Sequence, residues 1–575
     1  MPVLNLSELN VVVAVLGGFS ILYSIASTKF KQVWYLGEAL PAMLIGILLG
    51  PLSANFLNSA NWGLKEAGQA SEITLGVTRL VISLQLVIAG YQLPPRYVWQ
   101  RRKEVFLCLI PVMTLMWLFT TACMLATVPK ITLLAGLAIA AAVTCTDPVL
   151  SQAVAKGSFA DKFVPRPLRE IISAEACLND GFGFPFLMLA VYLMRHAEDY
   201  PGGGDGHVHI QGGHPMLLMA RAGDEVGRMG GGTGEAIKNW FLETWLYYVI
   251  LSAVYGAFVG FAASKIIKFA LRRKWIDNES YVLFPTSIGL FLMGTSGAIG
   301  TNDLLACAAS GCALNWDGEF AEELERRHDE VNSCVDVLLN FGGFMYIGTV
   351  IPWSDFHDPD GTGITVGRLF ALGFMVLLLR RVPAILLTYK AMPGVVSGWK
   401  DALFMGYFGP IGIGAVFYVE HTRHLIPKLG ESDEEHDDLL RALPPTIYFL
   451  VVFSIIVHGL SIPALNLVYR RMGVKPIQED AVTLRRKSIR IATPPNATQG
   501  DDDTFIAYNR FRRPSMSTIA SPTMGGTLPF STHHCDDDVY AHATVRPPSY
   551  PEEDVEAEKK RLQRRTIRYG VQGGF

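Results

Sequence analysis

Charge is the first scarcity in this chain. Asp, Glu, Lys and Arg make up only 18% of its 575 residues, while hydrophobic residues make up 50%. That balance excludes an ordinary soluble protein of this size, which would be less apolar and more charged. A net charge of −3 gives no footing for a nucleic-acid partner. The eight cysteines are scattered, most of them inside apolar runs, with no Cys-x-x-Cys spacing. Neither a disulfide framework nor a metal site is expected from them. No short apolar stretch with a small-residue cleavage site stands near the start, so the first apolar segment is expected to be a retained span. No Gly-rich loop ending in Lys-Ser or Lys-Thr is present. No ATP site is therefore expected.

What the chain does have is long apolar runs. Runs of about 20 residues cross a bilayer as helices, because backbone polar groups in lipid must be satisfied within their own segment. About 13 spans are expected on that length rule, at 9–28, 35–55, 71–92, 104–127, 131–155, 168–195, 238–272, 281–296, 298–315, 332–353, 365–391, 399–420 and 442–470. The 238–272 run suits either one tilted helix or two short ones. Basic residues gather in alternate loops or around the spans that border them: Lys29, Lys31, Arg96, Arg101, Arg102, Lys103, Lys162, Arg166, Arg169, Arg272, Arg273, Lys274, Arg380, Arg381, Lys390, Arg470 and Arg471. The opposite loops are rich in Gly and His or in acids, although the acidic loop 316–331 falls on the basic side. The positive-inside rule then puts the N-terminus outside and the C-terminus in the cytosol.

Composition changes near residue 475. Residues 1–472 are expected to form the membrane domain and residues 473–575 a cytosolic, largely disordered regulatory tail rich in Pro, Ser, Thr, Arg and Asp. Basic runs before Ser488 and Ser515 suit kinase or anionic-lipid contact, or simply a solvated tail. His533-His534-Cys535-Asp536 has no second cluster to complete a metal site. The Asn496-Ala497-Thr498 acceptor pattern would lie in the cytosol and go unused.

Two stretches put acids in the middle of apolar runs: Thr144-Cys145-Thr146-Asp147-Pro148 and Glu175-Ala176-Cys177-Leu178-Asn179-Asp180. A charge at membrane depth is costly, so such acids mark functional sites by default. Pro148 lacks an N–H and crowds the carbonyl of Thr144, which loosens the helix there. The result is free carbonyls beside a carboxylate and two hydroxyls, suited to a hard monovalent cation. Asp147 also reads as a helix cap, and the two roles can coexist. In the second stretch Glu175 and Asn179 share a helix face. Asp180 can be neutral when dry or ionised beside a cation, so proton and cation compete for it. Glu175 needs a positive partner. Arg380 and Arg381, late in the eleventh span, are the arginines placed to supply one, and Arg381 is the expected partner in a structural pair.

A second break lies at Gly409-Pro410-Ile411-Gly412-Ile413-Gly414 in the twelfth span. If spans one to six are repeated by spans eight to thirteen, the two breaks correspond, and the odd offset inverts the repeats. Paired broken helices point to a secondary transporter's midplane site, although glycine-rich spans also simply pack closely. Asn302 and Asp303, where the eighth and ninth spans meet, read as a helix cap or as an accessory acid. Asp336 and Asn340 are weaker polar candidates of the same kind.

Thr146-Asp147-Pro148 followed by Glu175-x-x-x-Asn179-Asp180 resembles the Asn-Asp signature of the monovalent cation:proton antiporter-1 family. The wider text, Thr144 to Phe186 and Gly294 to Ala306, resembles its fungal plasma-membrane Na⁺(K⁺)/H⁺ antiporters. The resemblance covers about residues 5–470. It implies an all-α membrane protein of the sodium/proton antiporter fold, with inverted repeats, crossed unwound helices and a homodimer. It implies that Asp180 carries cation and proton in turn, with Na⁺ held at Asp180 and Asp147. It further implies that Thr146 and Asp147 line the crossing, that Asn179 supports it and that Glu175 pairs with the eleventh-span arginine. Ala176 stands where many relatives have Ser, and Ile411 where many have Arg. The expected function is exchange of Na⁺, K⁺ or Li⁺ for H⁺ across the plasma membrane, serving salt tolerance, with no cofactor and no enzyme activity. A cation channel and an intramembrane aspartyl protease are the alternatives.

Overall fold

The computed structural model describes residues 8–62, 69–197, 227–327, 331–477, 482–485, 497–499 and 504–508. The chain divides into two units, Met1–Lys475 and Pro476–Phe575. Among its described residues the first is built from helices, with one isolated bridge between Asp358 and Ile364. In chain order its main helices begin with α1 (Glu8–Thr28), α2 (Ala39–Leu49), α3 (Gln69–Tyr91) and α4 (Arg102–Thr127). Then come α5 (Leu133–Ala142), α6 (Pro148–Lys156), α7 (Arg166–Asn179) and α8 (Phe184–Arg195). They continue as α9 (Gly232–Arg272), α10 (Asn278–Ile299), α11 (Asp303–Leu314) and α12 (Val331–Val350). The last are α13 (Val366–Ala391), α14 (Trp399–Tyr407), α15 (Ile413–Leu425) and α16 (Glu434–Met472).

Among the described residues, eight helices are long and apolar enough to cross a membrane, or nine when α7 and α8 count as one bent span. Each apolar run of the sequence meets a helix or a broken pair. Two runs differ in form. The 238–272 run is one continuous helix, α9, with a π-helical stretch at Trp240–Leu251. The 35–55 run is helical only over Ala39–Leu49, because Gly50 turns extended and Pro51 cannot continue the ladder.

Small residues let the helices approach closely. A Cβ added at Gly46 of α2 would strike the Met345 carbonyl of α12, and one at Gly348 would strike the Met43 carbonyl in return. Gly256 and Gly260 of α9 meet the Ala306 and Ser310 carbonyls of α11 in the same way. Without a hydrophobic drive between helices in lipid, such contact is a main source of cohesion.

The second unit holds the short strands β1 (Val482–Arg485), β2 (Ala497–Gln499) and β3 (Thr504–Ala507). They form one antiparallel sheet in the order β1-β3-β2. Composition gave no warning of this sheet, because short β-branched and aromatic strings such as Thr504-Phe505-Ile506 are drowned in the polar average. Ser488, Ser515, Asn496 and the 533–536 cluster lie outside the described residues.

Candidate functional site

The breaks fall where proline chemistry puts them. Between α5 and α6 the chain leaves helical geometry until Asp147, which is extended (φ −60°, ψ 124°) with Pro148 opening α6. Between α14 and α15 it leaves again through Phe408-Gly409-Pro410-Ile411-Gly412. The two interruptions cross. The Asp147 N–H donates to the Pro410 carbonyl at 2.9 Å. Asp147 Oδ1 accepts from the Leu150 N–H at 2.9 Å, and Oδ2 accepts from the Ile413 N–H at 3.0 Å. One carboxylate therefore caps the N-termini of both α6 and α15, where the helix dipoles are positive. Gly412 is needed for this approach, since any Cβ there would overlap the Asp147 carboxylate.

The C-terminal ends of the other two half-helices need the opposite charge, and Arg380 of α13 supplies it. Its guanidinium donates to the carbonyls of Val143 and Gly409, and to that of Cys145 at 3.4 Å. Arg380 is 3% exposed. This role was missed in the sequence. The signal was there in the arithmetic: two adjacent arginines in an apolar run, only one glutamate to receive them, and two breaks with bare carbonyls. Arg380 also brings a guanidinium to the Gly409 carbonyl, two residues from Ile411.

Arg381 faces the other way. Its Nη1 and Nη2 hold Glu175 Oε1 and Oε2 at 2.5 and 2.8 Å, and its Nε donates to the Met405 carbonyl at 2.9 Å. Both partners are buried. A planar fork on a carboxylate is the strong geometry for such a pair, and it ties α7 to α13 and α14.

Asn179 and Thr146 bind each other twice. The Asn179 Nδ2 donates to Thr146 Oγ1 at 2.8 Å, and the Thr146 N–H donates to Asn179 Oδ1 at 3.3 Å. This fixes α7 against the unwound stretch. Asp180 follows at the junction of α7 and α8, where the chain bends by 62°. It is fully buried, and neither carboxylate oxygen has a hydrogen-bond partner. Its surroundings are held by backbone contacts instead. Pro185 cannot donate to the carbonyl of Gly181, and Asn302 Nδ2 donates there at 2.5 Å. The Asp180 carbonyl accepts the Tyr418 hydroxyl at 2.6 Å. Tyr418, a second residue missed in the sequence, sits among apolar neighbours of α15 and carries no motif. An added Cβ at Gly414 would lie 3.0 Å from Asp180 Oδ1, so α15 passes directly beside the acid.

Asn302 is also the cap of α11, accepting from the Leu305 N–H at 3.1 Å. Asp303 is paired with Arg79 of α3. Ala176 is buried next to Glu175, and the Ile411 N–H donates to Ser454 Oγ at 2.7 Å. Among the described residues no hydrogen bond joins Asp147 to Asp180, and both Asp147 oxygens are engaged by amides. A pair of carboxylates sharing one proton, as an aspartyl protease needs, is not what this arrangement presents.

Two interrupted helices crossed at a shared acid, a guanidinium on their opposite ends and a second, bare acid alongside define a membrane protein of the crossed-helix, inverted-repeat class. Residues 12–467 match the family model described as sodium/hydrogen exchanger, transmembrane, and the chain belongs to that family. It is 32% identical to Na(+)/H(+) antiporter 2 of Zygosaccharomyces rouxii, over 81% of this chain and 54% of that protein. It is 33% identical to the Na(+)/H(+) antiporter of Saccharomyces cerevisiae, over 81% of this chain and 44% of that one. A Na(+)/H(+) antiporter of Schizosaccharomyces pombe is 29% identical over 80% of this chain and 91% of its own. The chain thus spans about half the length of the first two relatives. The fold is also similar to that of the sodium proton antiporter MjNhaP1 from Methanocaldococcus jannaschii, with a TM-score of 0.52 at 14% identity. That likeness covers 79% of this chain and all of the other.

Proposed function

We propose that this chain is a secondary antiporter that exchanges Na⁺, and by the same chemistry K⁺ or Li⁺, for H⁺. The observation that carries the reading is the Asp180 carboxylate, fully buried with both oxygens unpartnered. A bare charge there would cost several kcal/mol, so the acid requires either a proton or a cation. Binding one expels the other, and that competition is the exchange. Thr146 Oγ1 and the Asp147 carboxylate are the further oxygens for the cation, and Asn179 holds the Thr146 side of the crossing. Glu175 and Arg381 act as scaffold. The N-terminal dipole ends of α6 and α15 and the C-terminal ends of α5 and α14 are balanced by Asp147 and Arg380, so the crossing carries no uncompensated end while Asp180 changes its load.

A plasma-membrane location, an outside N-terminus, a cytosolic C-terminus and a homodimer belong to the same proposal, as does a service to salt tolerance. The loop charge pattern supports the orientation, and the location, the dimer and the salt-tolerance role rest on the resemblance to the fungal plasma-membrane antiporters. Residues 473–575 are proposed as a regulatory tail reached by kinase or lipid at Ser488 or Ser515.

The test is transport in vesicles. An imposed Na⁺ gradient should move protons through the wild-type chain with no voltage applied, and Asp180→Asn should abolish that movement. Normal exchange by the variant overturns the reading.

A further inference from the structure

A second buried polar group lies between α1, α2, α3 and α12, separate from the crossing. Gln85 of α3 is 1% exposed, and its Nε2 donates to Asn340 Oδ1 at 2.6 Å. The Asn340 Nδ2 donates in turn to Glu38 Oε2 at 3.4 Å. Asp336 stands four residues before Asn340 on α12, hence on the same helix face. The Glu38 carboxylate and the Gln85 amide are both within its electrostatic reach. Two further oxygens here have no hydrogen-bond partner: Gln85 Oε1 and the hydroxyl of Tyr23, which is 4% exposed. Tyr23 packs edge-on against Phe341, the neighbour of Asn340, with ring centroids 4.9 Å apart, and lies within electrostatic reach of Glu38.

Every unsatisfied atom in the group is an oxygen, and the group holds two carboxylates. The cation now touching it is the Lys31 ammonium on Glu38, carried by a side chain that is 45% exposed. An exposed lysine on a flexible stem is easily displaced. Lys31 faces Glu38 and Lys156 faces Asp336, so an entering ion takes the place of the one exposed ammonium on Glu38, and a single displaced charge matches a monovalent ion. Oxygen-only ligands select a hard cation over a soft one.

The position gives the group a use. Lys156, at the far end of α6, bonds Gln92 Oε1 at 2.5 Å and lies within electrostatic reach of Asp336. From Asp147 to Lys156 the helix rises about 13 Å at 1.5 Å per residue. The group therefore stands at the opposite end of the half-helix that Asp147 caps.

We propose that Glu38, Asp336, Gln85 Oε1 and the Tyr23 hydroxyl form a second binding site for a monovalent alkali cation, a staging site on the approach to the crossing. Its purpose rests on the exchange reading above, but its occupancy does not.

The experiment uses the full chain in detergent and follows its thermal midpoint as NaCl replaces choline chloride at constant ionic strength. In Asp180→Asn, which removes the acid of the crossing, a saturable Na⁺-dependent rise should persist. Adding Asp336→Asn should raise the half-effective Na⁺ concentration about tenfold or remove the rise, as loss of a charged ligand does. Where that double variant fails to fold, Gln85→Leu in the Asp180→Asn background should shift the half-effective concentration about threefold. Absence of any Na⁺-dependent rise in Asp180→Asn overturns the proposal. So does a rise that survives both second substitutions, and so does saturation by Ca²⁺ at far lower concentrations than by Na⁺. Failure of the exchange reading is seen elsewhere, as proton movement by Asp180→Asn in vesicles.

Discussion

Asp147 and Asp180 are both buried acids in the middle of the helical unit, and they are treated in opposite ways. Asp147 is fully engaged: two backbone amides reach its carboxylate, and its own N–H is taken by Pro410. Asp180 is bare at both oxygens, while Asn302 and Tyr418 hold the backbone carbonyls beside it. A hydrogen bond to a charged group contributes about 1.5–3 kcal/mol, and a carboxylate on a helix N-terminus gains up to ~2 kcal/mol more in a partly buried setting. Asp147 is therefore a charge the fold has settled. Asp180 is one the fold leaves unsettled, and only an unsettled acid exchanges ligands readily.

The largest effect should come from removing the unsettled acid. Asp180→Asn is expected to cut Na⁺-driven proton movement by at least ~100-fold, since no other group at the crossing offers free carboxylate oxygens. It should cost no stability, because a buried acid without partners contributes none. Thermal midpoints measured beside vesicle transport would check both halves. A variant that is inactive because it is unfolded would erase the contrast with Asp147.

Next comes the scaffold. Glu175→Gln leaves the Arg381 guanidinium buried without its counter-charge, and breaking such a pair costs about 3–5 kcal/mol. The folded fraction should still exchange. A stable protein with no exchange would instead make Glu175 a participant in the chemistry. Adding Arg381→Met should recover part of the lost stability, since removing both charges removes the cost.

Asp147→Asn is expected to cost somewhat less, about 2–4 kcal/mol, but to act on both stability and exchange. An amide has one oxygen for two amide donors, so its NH₂ must face either Leu150 N–H or Ile413 N–H. An Asp147→Asn protein as stable as Asp180→Asn would show that the two acids are not treated differently after all.

Much of this frame was legible in the sequence, for physical reasons. Apolar runs mark helices because lipid allows few other structures, and Pro148 and Pro410 mark the breaks because proline withholds a donor. Glu175 with Arg381 follows from charge counting in a place where a lone charge is expensive. What stayed hidden depends on which element crosses which. The Ile413 amide on Asp147, Asn302 on the Gly181 carbonyl and Tyr418 on the Asp180 carbonyl each join residues more than 100 apart in the chain. No local pattern records them. The role of Arg380 lies between these cases: the need for a cation at two bare helix ends was readable, but not the residue that meets it. The 35–55 run shows the converse, where apolarity outlasts the helix because Pro51 ends the ladder.

The smallest effect is expected where the same chemistry is only partly buried, at side chains 14–20% exposed. Arg228 donates to Asp433 at 2.6 Å and to Glu435 at 2.7 Å at the start of α16. Partial burial raises the Asp433 carboxyl, but the Arg228 fork and the capped His436 amide outweigh it and hold it below the usual carboxylate range. A depressed carboxyl contributes stability that is present above its unfolded value of about 3.9 and is lost as pH falls through the lower folded value. Arg228→Ala should therefore lower the thermal midpoint at pH 7 by an amount equivalent to no more than about 1 kcal/mol, since solvent screens the fork. The gap between variant and wild type should close as pH falls through the range just below about 4. A gap as large as that of Glu175→Gln would mean that the fork is as dry as the crossing. A gap that does not close in acid would mean that Arg228 acts through the Met194 carbonyl, to which it also donates, and not through the acids.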